Sequence, residues 1–110
     1  MDNLENWCNN LKKYWSNKEI NKILDLFDKN VEYYESPNEK LETFEKVINT
    51  WKEIKSQNIE KIDMQILCRE KNKCIANFIL KDVVSYDMIY EIKLNEIGKC
   101  IYFKQWYMEI

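Results

Sequence analysis

The stretch WSNKEINKILDLFDKNVEYYESP, residues 15–37, decides how the rest of the chain is read. Ser16 and Glu19 have the spacing of a capping box, Ser-x-x-Glu, which starts a helix by satisfying its first free N–H groups. Trp15 and Ile20 flank the cap where a hydrophobic staple would place them. Ile20, Ile23, Leu24 and Phe27 recur at helical spacing, so a helix is predicted over 17–29, ended by Asp28-Lys29-Asn30. Val31-Glu32-Tyr33-Tyr34-Glu35 is β-branched and aromatic and predicts a strand over 31–35, stopped by Ser36-Pro37.

Working outward, Leu4, Trp7, Cys8, Leu11, Tyr14 and Trp15 predict a first amphipathic helix over about residues 3–15. Asn38-Glu39-Lys40 reads as a turn or loop. Phe44, Val47, Ile48, Trp51 and Ile54 mark a third helix with Thr43 as its N-cap. Beyond Asn58 the period changes to alternation: Ile62 to Cys68, Cys74 to Val84, Met88 to Leu94 and Cys100 to Ile110 each predict a strand. The only glycine, Gly98, falls in the last hairpin turn, where positive φ is expected. The order α-α-β-α-β-β-β-β argues an α+β fold with helices packed on one face of a largely antiparallel sheet.

Composition narrows the function classes. At 110 residues the chain suits one domain, 1–110, with a single core. No apolar run approaches the roughly 20 residues of a membrane-spanning helix. The start MDNLENWCNN has neither the basic nor the apolar segment of an export signal, so a cytoplasmic location is expected. Net charge is −2 and Arg69 is the only arginine, so the basic stripe of a nucleic-acid binder is missing. Cys8, Cys68, Cys74 and Cys100 form no C-x-x-C pair and read as reduced, mostly buried thiols; a Cys68–Cys74 disulfide across a hairpin is the alternative. Histidine is absent, which removes the commonest metal ligand and general base, so no metal site or Cys-His nucleophile is expected. No motif asks for a cofactor. The mixed charges of Glu39–Glu45 and Glu70–Lys73 read as solvated surface.

The element order resembles the nuclear transport factor 2-like superfamily, in its SnoaL-like branch. The resemblance rests on the helix end Tyr14-Trp15, on Tyr33-Tyr34-Glu35-Ser36-Pro37, and on Val47-Ile48 with Trp51. Ile89 to Leu94, Gly98-Lys99-Cys100 and Phe103 to Tyr107 complete it. It covers nearly the whole chain and implies a cone: a strongly curved sheet wrapped around helices, with a pocket at the open end. It also implies homodimerisation through the outer face of the sheet, and here both faces of the late strands carry apolar residues. Ketosteroid isomerases of this superfamily carry a carboxylate base immediately before the proline, and Ser36 stands there. Their tyrosine position on the first helix falls near Leu11, with Tyr14 one turn later.

Three functions follow as expectations. The leading one is binding of a small, partly apolar molecule in the cone, without a catalytic role. The second is isomerase- or dehydratase-type catalysis with Glu35 as base and Tyr14 or Tyr34 as donor, because a carboxylate at a pocket wall can have its pKa raised by burial. The third is a ligand-free interaction module using the sheet face. The candidate ligand-binding set is Tyr14, Tyr34, Glu35, Trp51, Asn77, Gln105 and Tyr107. Gln105 and Asn77 are included as polar groups on otherwise apolar strand faces; alternation alone does not say which face is concave. The remaining aromatics are expected to be core.

Overall fold

The structure is a computed structural model that describes residues 3–110. Its elements are helices α1 (Asn3–Ser16) and α2 (Ile20–Leu24), strands β1 (Phe27–Ser36) and β2 (Glu39–Leu41), helix α3 (Phe44–Lys52) continued by a 3₁₀ turn (Glu53–Ser56), and strands β3 (Lys61–Glu70), β4 (Lys73–Lys81), β5 (Tyr86–Leu94) and β6 (Cys100–Glu109). The strands form one curved, open sheet in the order β2-β1-β6-β5-β4-β3. Only β1 and β6 run parallel; every other pair is antiparallel. The fold is therefore α+β as expected, with one more strand than the sequence pattern predicts.

The missing strand is β2. It has three residues, Glu-Lys-Leu, at a sheet edge, and folds back on β1 through Pro37-Asn38 with Ser36 opposite Glu39 and Tyr33 opposite Leu41. So short and polar a segment carries no alternating signal.

The capping box does not form either. Ser16 is the last residue of α1, and its hydroxyl donates to Lys12 O at 2.8 Å instead of capping a new helix. Lys18 takes φ 55°. Glu19 N–H then bonds Tyr14 O at 2.8 Å and Lys18 N–H bonds Trp15 O at 3.0 Å. That pair of bonds is a Schellman ending, built here without glycine. Helix α2 shrinks to Ile20–Leu24, with Glu19 at its N-cap making no side-chain cap bond. Phe27, which the helical count claimed, opens β1.

Elsewhere the local signals hold. Thr43 caps α3, its Oγ1 accepting from Lys46 N–H at 3.3 Å. Gly98 has φ 85° in the β5–β6 turn, where Asn95 Oδ1 accepts from Ile97 N–H at 3.1 Å and Lys99 N–H at 2.9 Å.

The core fills the concave side of the sheet. Leu4, Trp7, Cys8, Leu11 and Trp15 of α1 and Val47 and Trp51 of α3 are buried. They meet an inner sheet face formed by Ala76, Phe78, Tyr90, Ile92 and Phe103, all nearly inaccessible. Phe27 sits at the centre, edge-on to Trp7 at 5.5 Å and to Phe103 at 5.2 Å. Burying each such side chain contributes about 1.5–3 kcal/mol, which makes this aromatic knot the main anchor of α1 on the sheet.

The outer face of the sheet carries Ile75, Asn77 and Ile79 on β4, Ile89 on β5, and Tyr102, Lys104, Trp106 and Met108 on β6. The four cysteines are free thiols. A bulge between Ile66 and Cys68 pairs Cys68 with Ile75 and Arg69 with Cys74. Cys68 thus points outward while Cys74 points into the core, and the hairpin disulfide cannot form. Among the described residues, no helix is long and apolar enough to cross a membrane.

Candidate functional site

The concave side is not fully packed. Helix α1 covers the half of the sheet near Leu94 and Cys100, whereas the strand ends near Tyr86 and Tyr107 leave a cavity of about 270 Å³. Its deep wall is Trp15 from α1, Tyr33 from β1, Trp51 and Ile54 from α3 and the turn after it, and Leu80, Met88 and Tyr90 from β4 and β5. Its mouth is formed by Glu35, Thr50, Glu53, Gln57, Tyr86, Gln105 and Tyr107. Aromatic walls with a few placed polar groups are the usual make-up of a small-molecule site.

The sheet dictates which side chains arrive there. On β6, Phe103, Gln105 and Tyr107 alternate inward, and Tyr90 lies directly opposite Gln105. The Tyr90 hydroxyl donates to Gln105 Oε1 at 2.5 Å, and Gln105 Nε2 donates to Glu35 O at 2.9 Å. This relay ties β5, β6 and the end of β1 together along the cavity wall. Thr50 Oγ1 donates to Glu35 Oε2 at 3.3 Å, joining α3 to the same point. Trp15 Nε1 donates to Gln57 Oε1 at 3.1 Å and closes the α1 side.

Electrostatics set Glu35 apart. Partial burial raises its carboxyl above the usual carboxylate range, Glu53 and Glu39 push the same way, and the Thr50 hydrogen bond opposes them. Burial also pushes the hydroxyls of Tyr33 and Tyr90 well above the ordinary tyrosine value, with nearby negative charge on Glu35 adding to it. Both tyrosines are therefore neutral donors at any physiological pH.

One polar atom in this wall lacks a partner. Trp51 is 4% exposed and its indole N–H makes no hydrogen bond of acceptable geometry. It lies near enough to the Tyr33 hydroxyl to favour that group's ionised form, yet the pair falls outside hydrogen-bond geometry. By contrast Trp7, equally buried, donates to Leu26 O at 2.9 Å. A buried unpaired donor costs about 1–3 kcal/mol, and this one has almost no accessible surface, so its neighbours shield it from the cavity.

Of the residues singled out from sequence, Glu35, Trp51, Gln105 and Tyr107 line the cavity. Tyr14, Tyr34 and Asn77 do not. Tyr14 faces away on α1, under the Lys22 ammonium at 5.6 Å. Tyr34 lies on the outer sheet face, its hydroxyl donating to Glu32 Oε2 at 2.9 Å and its ring 5.9 Å from Tyr102. Neighbours on a strand point to opposite sides, so Tyr33 and not Tyr34 joins Glu35. Asn77 is also on the outer face, donating to Asp87 Oδ1 at 2.6 Å and Met88 O at 3.0 Å. Ser36 is no substitute base, since its hydroxyl is 3.4 Å from Glu39 Oε1 at the hairpin.

A larger hollow, about 570 Å³, runs along β3 beside Glu5 and Asn9 of α1. Six successive residues, Met64 to Arg69, line it, so both faces of the strand contribute. It follows the sheet edge and does not enter the cone. Among the described residues, no cluster of acidic and cysteine side chains could hold a metal ion.

A curved mixed sheet wrapped around three helices, with its cavity at the open end, is the nuclear transport factor 2-like or cystatin-like fold, and this chain has it. No family model and no curated protein sequence matches the chain. Among solved structures it is similar to an NTF2-like protein of unknown function from Burkholderia xenovorans LB400, with 10% identity, TM-score 0.80, and 98% of this chain and 84% of that one covered. It is also similar to a computationally designed 17-OHP binder at 10% identity and TM-score 0.75, covering 94% of this chain and 93% of that one. An LEH-like epoxide hydrolase from Mycobacterium tuberculosis aligns at 6% identity and TM-score 0.68, covering 94% of this chain and 80% of that one. At such identities the likeness concerns the fold.

Proposed function

We propose that this protein binds a small, partly apolar molecule in the open end of its cone. The observation that carries this is the cavity itself, about 270 Å³, lined by six aromatic side chains with the polar groups of Glu35, Thr50, Gln57 and Gln105 among them. The use of the same fold in a 17-OHP binder is compatible with this reading. Native mass spectrometry of freshly purified protein, beside the same sample denatured, tests it. An extra mass released on denaturation supports it; a bare chain that also takes up no member of a small aromatic fragment set contradicts it.

A second reading, acid–base catalysis, is favoured by the placement of Glu35 with its raised pKa inside the cavity. Its donor would be Tyr33, because Tyr14 and Tyr34 lie elsewhere. Loss of turnover in Glu35→Gln with binding retained would favour it over simple binding. We further propose that the chain forms a homodimer through the outer sheet face, where Ile75, Ile79, Ile89, Trp106 and Met108 present apolar surface. Sedimentation of the wild type beside Trp106→Lys tests this: a dimer that Trp106→Lys dissociates supports it, and a wild-type monomer contradicts it.

A further inference from the structure

The charged residues lining the cavity are Glu35 and Glu53; no lysine or arginine joins them. Lys18 is not among the lining residues; its ammonium is held by the carbonyls of Lys55 and Gln57. Six of the lining residues are aromatic: Trp15, Tyr33, Trp51, Tyr86, Tyr90 and Tyr107. Aromatic faces are electron-rich and attract cations within about 6 Å, more strongly when water is excluded. Carboxylates in the same partly desolvated space add a full attraction of the same sign. An anion there would meet two carboxylates and no counter-charge, and a neutral molecule would gain from burial alone.

Building on the binding-pocket reading above, we propose that the cavity selects small organic cations: amines that are protonated at neutral pH and also carry a hydrogen-bond acceptor. Three features give such a ligand a place. Thr50 fixes the Glu35 carboxylate through Oε2, and the other oxygen has no hydrogen-bond partner among the described residues, so it is available to an ammonium. Tyr86 and Tyr107 stand edge to face at the mouth, 6.1 Å apart, beside the exposed Glu53. Gln57 lines the cavity with its Oε1 already taken by Trp15, so its amide N–H is a donor that suits the ligand's oxygen, not its ammonium. The volume of about 270 Å³ lies just below the usual range of about 300–1,000 Å³ for ligand pockets, which favours one ring with a short amine arm.

Three probes that share one ring and differ in the end group test the proposal: tyramine (cation), tyrosol (neutral) and 4-hydroxyphenylacetate (anion), titrated calorimetrically at pH 8. The expected order is tyramine tighter than tyrosol by about tenfold, with the acid weakest. Glu35→Gln should erase most of that preference. Glu53→Gln, an exposed change remote from the core, should reduce it, and keeps the test decisive if the first variant fails to fold. Tyrosol binding as tightly as tyramine, or the acid binding best, overturns cation selection while leaving the pocket reading standing. Failure of all three to bind also overturns it, and the released-mass experiment then decides separately whether the cavity binds anything.

Discussion

Replacing Trp51 by phenylalanine tests whether its buried N–H is unpaired in the folded protein, and Trp7→Phe is the matched control. Both indoles are nearly fully buried, at 4% and 3% exposure, and both pack edge-on against another ring, Trp15 for Trp51 and Phe27 for Trp7. Losing the second ring should cost each site about 1–2 kcal/mol in packing and residual cavity. The N–H contributions have opposite sign. Trp7→Phe leaves the Leu26 carbonyl without its donor, adding about 1–3 kcal/mol, for a total of about 2–5 kcal/mol. Trp51→Phe removes a donor that was already unpaired, recovering about 1–3 kcal/mol and leaving a net change near zero. Urea unfolding of both variants, with the slope checked for constancy, measures the difference. The reasoning is refuted if Trp51→Phe destabilises as much as Trp7→Phe, because the Trp51 N–H would then be satisfied in the free protein.

Other consequences follow from the same geometry. Glu35 holds its proton to higher pH in the folded state than in the unfolded chain. Its contribution to stability is therefore present at low pH and lost as pH rises from the ordinary carboxylate value through its own raised one. Glu35→Gln should flatten that part of the stability–pH curve and stabilise the protein at neutral pH; an unchanged curve would count against a partly buried carboxyl. Of the four thiols only Cys68 is exposed, while the hydrogen bond with Cys74 and burial raise the pKa of Cys8, and burial raises that of Cys100. A disulfide reagent should modify one thiol per native chain rapidly and all four after denaturation, whereas two fast thiols would contradict the packing of α1 on the sheet. Gly98→Ala meets no atom within 4 Å of the added Cβ, so its cost is backbone strain at φ 85°, about 1–2 kcal/mol by urea unfolding. A larger loss would mean that the turn packs against something.

The helix–strand order was legible because it depends on long periodic segments such as Phe44–Ile54 and Ile89–Leu94. What failed were features a few residues long. Ser16-Asn17-Lys18 carries the letters of a helix start, and the Schellman ending that forms there was hidden because Lys18, not glycine, takes the positive φ. In the site, Gln105 and Tyr107 were reachable from alternation, but which face is concave comes from sheet curvature and helix placement, which alternation does not encode. The choice of Tyr34 together with Glu35 ignored the same alternation, which assigns Tyr33 to the side of Glu35. Tyr90 is not legible because its role comes from lying opposite Gln105 on β6, a register fixed by the Asn95–Lys99 turn and the bulge between Lys93 and Leu94.

The most direct test of the binding site is the set of four indole N–H signals in ¹H–¹⁵N spectra, assigned by substitution and followed during parallel titrations with tyramine and tyrosol. The account predicts that Trp51 and Trp15 shift and saturate while Trp7 and Trp106 stay in place. Shifts confined to Trp106 would contradict a ligand site in the cone, and no shift at any indole with either probe would contradict cation selection there.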